Sequence, residues 1–411
     1  MKNRRNANAS RLKYVAALLA WAAIGALAAG PSVGNTPENH VGEQAIHQPS
    51  AGQAGGDAVR ESKTLAPARS HERTRLLEAG EAALAGLDTP AALNAFERAG
   101  LILHAADTEI SLVRGYMQAG DYRRALAFGA HTAGAHLDVT GGTLIYAWLL
   151  HLGGQPAIAR RLLADAKAHG PANQLMQALQ QQLLLGAPRA TGQLLAPPAR
   201  LAPYGENKGL PATARVVGSA VLLPSGNAAL LPLGLLPRSG RLWLRNGLGQ
   251  LAAASVEKRL PRAGVALVRL ERALPESKEF QAAATDAFPG SAGFAVEYVS
   301  APDASPAWPL LRTGFLGGAS GDSGARLLGI DMPGGPRGGP VFDGAGQFIG
   351  MALPGVSGHG GDRLVAASQL NKALGSAMVF TPATAGPMPR EPVDKIYEAS
   401  LRSALQVITA R

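Results

Sequence analysis

Gly335-Pro336-Arg337-Gly338-Gly339-Pro340-Val341-Phe342-Asp343, continuing through Gly344-Ala345-Gly346-Gln347-Phe348-Ile349-Gly350, is the stretch from which the rest of the chain can be read. It predicts a glycine/proline loop, a short apolar strand, a tight turn and a second apolar strand. Glycine turns sharply without a Cβ clash, so a loop of this kind can aim several backbone N–H groups into one small space. Short apolar runs surround it at 215–223, 229–235, 241–245, 264–270, 291–299, 326–330 and 364–370. The first turns at Pro224-Ser225-Gly226-Asn227. Many short strands broken by Gly/Pro turns predict an antiparallel barrel or sandwich.

The loop resembles the nucleophile loop of the trypsin-like serine peptidases, in particular their bacterial envelope branch. There Gly-Asn-Ser-Gly-Gly-Pro precedes an apolar pair, an acidic or Asn turn and a Gly-ended strand. The resemblance covers residues 213–378 and implies an all-β trypsin-like double β-barrel. It also implies three places to test, because such enzymes need a base, an orienting acid and a nucleophile. Gly218-Ser219-Ala220 leads to Ala229-Leu230-Leu231-Pro232-Leu233-Gly234-Leu235, which puts Leu233 where the family has histidine. Gly264-Val265-Ala266-Leu267-Val268 puts Gly264 where the family's strand opens with aspartate. Arg337 stands in place of the serine. A guanidinium has five donors and no lone pair to attack with.

With all three changed there is neither a general base nor a covalent route, so no catalytic residue is assigned and the chain is expected to be a pseudo-peptidase. What the loop retains is an expected binding array at Gly335, Arg337, Gly338 and Gly339. Three readings of Arg337 stand: it fills the array, it binds a carboxylate such as a peptide C-terminus, or it faces solvent.

Gly321-Asp322-Ser323-Gly324 offers an alternative nucleophile, Ser323, because this tetrapeptide surrounds the serine of animal trypsins. Ala325-Arg326-Leu327 follows, however, where that family needs Gly-Pro and a strand. The only histidine of this region, His359, lies in a glycine-rich loop and would need a new geometry to serve Ser323.

The chain has 411 residues, enough for two to three domains, and is 46% hydrophobic. A net charge of +10 raises nucleic acid as a partner, but aromatics are only 5% and no dense Lys/Arg stripe appears, so none is expected. With no cysteine, thiolate catalysis, iron–sulfur clusters and cysteine zinc sites are excluded. No cofactor is implied. Lys2, Arg4, Arg5, Arg11 and Lys13 precede an uncharged run over residues 14–30, the pattern of an export leader. Residues 1–30 read as a signal anchor or a signal peptide. As an anchor, 14–30 holds the inner membrane with the bulk in the bacterial periplasm, and as a cleaved leader it exports the chain; either way the remainder is expected outside the cytoplasm. Residues 31–70 are polar and rich in Pro, Gly and Ser, and are expected to be a disordered linker.

Over 71–190 apolar residues recur at three and four, the helical period. Gly86, Gly120 and Gly154 repeat every 34 residues, as do Ala91, Ala125 and Ala159. The units resemble degenerate tetratricopeptide repeats, with 172–186 as a capping helix. That resemblance implies either a concave partner-binding groove or a helical spacer. His104, His131, His136 and His151 are scattered along these helices with no carboxylate at ligand spacing, so no metal site is expected.

Residues 191–212 read as a linker and 379–411 as a Pro-rich linker with a C-terminal amphipathic helix. The fold class is thus all-α repeats followed by an all-β double barrel. The expected partners are other envelope proteins or peptides, taken by the repeat groove, the degenerate peptidase cleft or both.

Overall fold

The computed structural model describes residues 66–411 apart from 138, 170–173, 187–188, 238–239, 276–280, 321–324, 356–360, 376–379, 384–388 and 411. The expected leader, and the linker up to residue 65, lie outside it. Among the described residues no helix is long and apolar enough to cross a membrane. The contacts below all belong to the compact unit His71–Arg411.

Seven helices run between Pro67 and Leu185: α1 (Pro67–Ala85), α2 (Thr89–Ile102), α3 (Ala106–Ala119), α4 (Tyr122–Ala135), α5 (Thr140–Leu152), α6 (Pro156–His169) and α7 (Gln174–Leu185). They form three hairpins, α1/α2, α3/α4 and α5/α6, followed by α7. Each hairpin turn uses one left-handed residue. Gly120 at φ 82 and Gly154 at φ 81 fill that place in the second and third hairpins, where glycine meets no Cβ penalty. In the first hairpin the place falls to Leu87 at φ 60, not to Gly86. The first unit is therefore out of step by one residue. Ala92, rather than Ala91, is fully buried in the way Ala125 and Ala159 are.

α3 is the innermost helix, with Thr108, Glu109, Arg114 and Gln118 buried beside its apolar residues. Arg114 donates two 2.9 Å hydrogen bonds to Glu81 of α1. Gln118 reaches out of the helices: its Nε2 donates to the Leu248 carbonyl at 2.9 Å, and its Oε1 accepts from Tyr204 N at 2.8 Å. Residues 191–212 are accordingly packed rather than free. Leu194 and Leu201 are buried, and Arg200 donates to the carbonyls of Leu195, Ala202 and Pro203. The sequence reads as a linker there because its polar demand is met by backbone carbonyls, which leave no pattern.

Twelve strands close into two antiparallel six-stranded barrels, as the β reading expects. The first holds β1 (Arg215–Leu222), β2 (Ala228–Pro232), β3 (Leu242–Asn246), β4 (Leu251–Leu260), β5 (Val265–Leu270) and β12 (Ala404–Thr409). The second holds β6 (Ala292–Glu297), β7 (Leu310–Ser320), β8 (Ala325–Gly329), β9 (Pro340–Phe342), β10 (Phe348–Leu353) and β11 (Arg363–Ala366). Inward residues such as Leu222, Leu231, Leu244 and Val268 fill the first; Leu316, Val341, Ile349 and Leu364 fill the second. Two helices complete the fold, α8 (Ala367–Leu374) and α9 (Val393–Ser403).

β12 corrects the reading of 379–411 as linker and helix alone. It lies between β1 and β3, pairing with both, and Ala404, Leu405, Val407 and Ile408 are wholly buried. The chain passes from α9 into β12 with no Gly or Pro between them, so no turn residue marks the change. α9 is held in place as well: the Tyr397 hydroxyl donates to the Pro309 carbonyl at 2.7 Å, and its ring meets that of Tyr122 on α4 at 4.5 Å.

Candidate functional site

β2 ends at Pro232, and Leu233 opens the 3₁₀ turn Leu233–Leu235. A second such turn, Pro261–Ala263, ends at Gly264 before β5 begins. Pairing of Pro232 with Val265 sets these two turns side by side, and Leu233 N donates to the Gly264 carbonyl at 3.0 Å. Gly264 has φ 71, and a Cβ there would stand 2.8 Å from Nη2 of Arg363 on β11. The place implied for the orienting acid thus holds no side chain and has a guanidinium beside it.

Arg337 approaches from the second barrel. Its carbonyl accepts from Ser219 N of β1 at 2.9 Å. Gly338, at φ 100, presses so closely on β2 that a Cβ would lie 2.3 Å from Cδ of Pro232. Only glycine permits this approach. Leu233 and Gly264 therefore lie side by side, and the backbone at Arg337 and Gly338 docks on β1 and on the end of β2 that leads into Leu233.

The loop N–H groups are paired within the chain. Gly335 N donates to the Met332 carbonyl at 2.9 Å and Gly338 N to the Ala352 carbonyl at 2.9 Å. Arg337 N donates to Oε2 of Glu297 at 2.7 Å, and Gly339 N to Oε1 of the same carboxylate at 3.0 Å. The array expected to be open at Gly335, Arg337, Gly338 and Gly339 is thus filled from inside. Arg337 does not do the filling: its half-exposed guanidinium turns back to donate to the Gly334 carbonyl at 3.1 Å. The reason is Glu297, buried at the end of β6, whose oxygens need donors once water is excluded. Burial pushes its carboxyl up to about 8, against the pull of the Gly339 and Arg337 N–H groups and of the Arg337 charge.

Part of the chain is similar to several solved peptidase structures. The protease domain of MamO from Magnetospirillum magneticum is 17% identical and matches 42% of this chain and all of its own, with a TM-score of 0.29. The active form of the Rv3671c protease from M. tuberculosis is 15% identical over 42% of this chain and 84% of its own, with a TM-score of 0.31. Deg5 is 14% identical over 40% and 88%, with a TM-score of 0.28. No protein-family model and no curated protein matches the sequence. The fold rests on the chain's own twelve strands.

Ser323 and His359 fall outside the described residues. The helical histidines divide. His151 is fully buried beside Trp148, with neither ring nitrogen hydrogen-bonded. His104, His131 and His136 instead converge on Glu109, which corrects the expectation that no carboxylate would stand at ligand spacing. The four residues come from two helices and a loop, so no helical period joins them. Glu297 left a fainter signal: it is the one acidic residue in the apolar run 291–299, at the buried end of its strand.

Proposed function

We propose that the chain is an envelope interaction protein, held at the inner membrane by residues 14–30. In this reading its degenerate tetratricopeptide-like hairpins and a serine-peptidase-like module without a proton relay act as binding or scaffold surfaces. The observation that supports it is that Leu233 and Gly264 lie side by side next to the loop of Arg337, with the Arg337 and Gly339 N–H groups spent on Glu297. A site without base or nucleophile retains at most the residual acceleration of ~10³–10⁴ over water that donors and binding supply. Here two of the donors already serve an internal carboxyl, which lowers even that expectation.

A fluorophosphonate probe tests the reading on the full chain. No covalent labelling is expected. Labelling that disappears in Ser323→Ala would replace this reading with that of a hydrolase using Ser323. The part-exposed guanidinium of Arg337 donates to the Gly334 carbonyl and suits a carboxylate such as a peptide C-terminus. Arg337→Ala should change stability by less than about 0.5 kcal/mol. It should also weaken capture of peptides with a free C-terminus relative to amidated ones on an array; equal capture would remove this role.

A further inference from the structure

We propose that His104, His131, His136 and Glu109 form a binding site for a divalent transition-metal ion, zinc first. The site lies at the open end of the second hairpin. His104 belongs to the short link between α2 and α3, and Glu109 to the first turn of α3. His131 lies in the last turns of α4, and His136 caps its C-terminus. Antiparallel pairing of α3 and α4 brings the start of one beside the end of the other, which is why residues 27 positions apart become neighbours.

All three imidazoles present Nε2 to one carboxylate. His136 Nε2 lies 3.3 Å from Oε2 of Glu109, and His131 Nε2 lies 3.6 Å from Oε1. His104 Nε2 contacts the same Oε1. The ring centroids of His104 and His136 are 5.4 Å apart, and those of His104 and His131 6.1 Å. His104, Glu109 and His136 each offer one ligand atom within 4.8 Å of the others. A tetrahedral zinc ion with bonds of about 2.0–2.1 Å places its ligand atoms roughly 3.3 Å apart. The 3.3 and 3.6 Å separations of His136 and His131 from the Glu109 oxygens already approximate that edge.

Glu109 is the second, independent sign. Only 4% of its side chain is exposed, yet neither oxygen accepts a hydrogen bond, and the buried Nε2 of His136 also lacks one. A buried carboxylate without donors requires a compensating positive charge. Three neutral imidazoles and one carboxylate around a dication supply it and use every orphaned atom. This donor set suits zinc, with cobalt, nickel and copper also accommodated, and does not suit the oxygen shells of calcium or magnesium. Four protein ligands close the coordination sphere, so the ion would hold structure rather than activate water. It would fasten the α2–α3 link to the end of α4 and so tie the first hairpin to the second.

The test uses the full chain stripped with EDTA and titrated with Zn²⁺ against a chromophoric chelator, and with Co²⁺ by visible absorption. One equivalent of Zn²⁺ per chain is expected, with an intense four-coordinate Co²⁺ band and a rise in Tm of about 5 °C at saturating Zn²⁺. Glu109→Gln should lose about 100-fold in affinity, and His104→Ala at least about tenfold. His104 is half-exposed, so His104→Ala should keep the parent's circular dichroism and metal-free Tm. That separates lost coordination from lost folding. If the parent takes up no saturating equivalent, or if both variants bind as the parent does, the site is overturned.

Discussion

The two barrels reach one architecture by two routes along the chain. Going round the second barrel, the strands run β6-β7-β8-β11-β10-β9. Going round the first, they run β12-β1-β2-β5-β4-β3. The orders are identical if β12 is counted as the strand before β1. Thr409, at the end of β12, is registered with Arg215, at the start of β1, as the two arms of a hairpin would be. The first barrel is thus a circular permutation of the second, with its leading strand delivered from beyond α9. Neighbour pairing and inward packing fix such a barrel; the order in which the chain visits the strands does not. The permutation also has a mechanical consequence. The segment that closes the first barrel passes through α9, which touches α4 and the Pro309 carbonyl ahead of β7, so helices and barrels share one fastening.

Removing that strand should break the comparison most severely. A chain ending at Ser403 leaves β1 and β3 with unpaired edges and opens the core around Leu405 and Val407. The loss is expected to exceed the ~5–15 kcal/mol that holds a domain folded. Limited proteolysis should cut within 215–270 well before 292–366. A chain carrying the 404–409 segment ahead of Arg215 through a short hairpin turn should restore resistance; equal cleavage of both barrels in the truncated chain would show that closure does not depend on β12.

Glu297 tests the seam between the barrels, at smaller cost. Glu297→Ala leaves the N–H groups of Arg337 and Gly339 without their acceptor and should cost about 2–4 kcal/mol in urea unfolding at pH 5. The pH dependence has a definite sign. A carboxyl raised to about 8 in the fold, from 4.5, keeps its proton longer when folded than when unfolded. Its contribution is therefore complete below about pH 4.5 and is lost as pH rises through about 8. Glu297→Gln, neutral at every pH, should remove that decline. A parallel fall in parent and Glu297→Gln between pH 5 and 8.5 would remove Glu297 as its source.

The sequence made the second barrel more legible than the first, and the frame of the site more legible than its contents. Gly335 to Gly350 announced a loop and two strands because glycine and proline mark turns directly. β4 and β7 passed unnoticed: Leu251–Leu260 has a polar outer half with no break, and Leu310–Ser320 contains Gly317-Gly318 and reads as loop. Leu233, Gly264 and Arg337 follow from the resemblance alone; the structure sets Leu233 beside Gly264 and the backbone of Arg337 against Ser219 of β1. Glu297 and Arg363, which determine the local charge, arrive from strands far along the chain, and no spacing rule connects them. The Glu109 cluster was hidden in the same way, by a hairpin rather than a barrel. The 34-residue period survived in two hairpins and slipped by one in the first, where Leu87 does the work of a glycine.

The helices press closely on both barrels, and this sets the smallest effect. Towards the first barrel Gln118 donates to the Leu248 carbonyl, and a Cβ on Gly120 would stand 2.8 Å from the Leu248 side chain. Towards the second, a Cβ on Gly154 would stand 2.6 Å from Leu311 of β7. His151 of α5 sits behind that contact, fully buried and without a hydrogen bond at either nitrogen. Burial, together with the charges of Arg312 on β7 and Arg160 on α6, lowers it to about 4. The unfolded chain takes up the proton first, near 6.5, so the stability held above that value is lost as pH falls through about 4. Roughly 1–2 kcal/mol should disappear between pH 7 and pH 5 from this residue alone. His151→Leu fills the same apolar space, loses no hydrogen bond and should flatten that acid limb with little change at pH 7. The opposite signs of Glu297 and His151 keep the two measurements apart: one loosens the seam between the barrels as pH rises, the other the seam between helices and second barrel as it falls. If His151→Leu keeps the parent's acid limb, the proton enters elsewhere and the apolar contact at Leu311 is not where the fold resists acid.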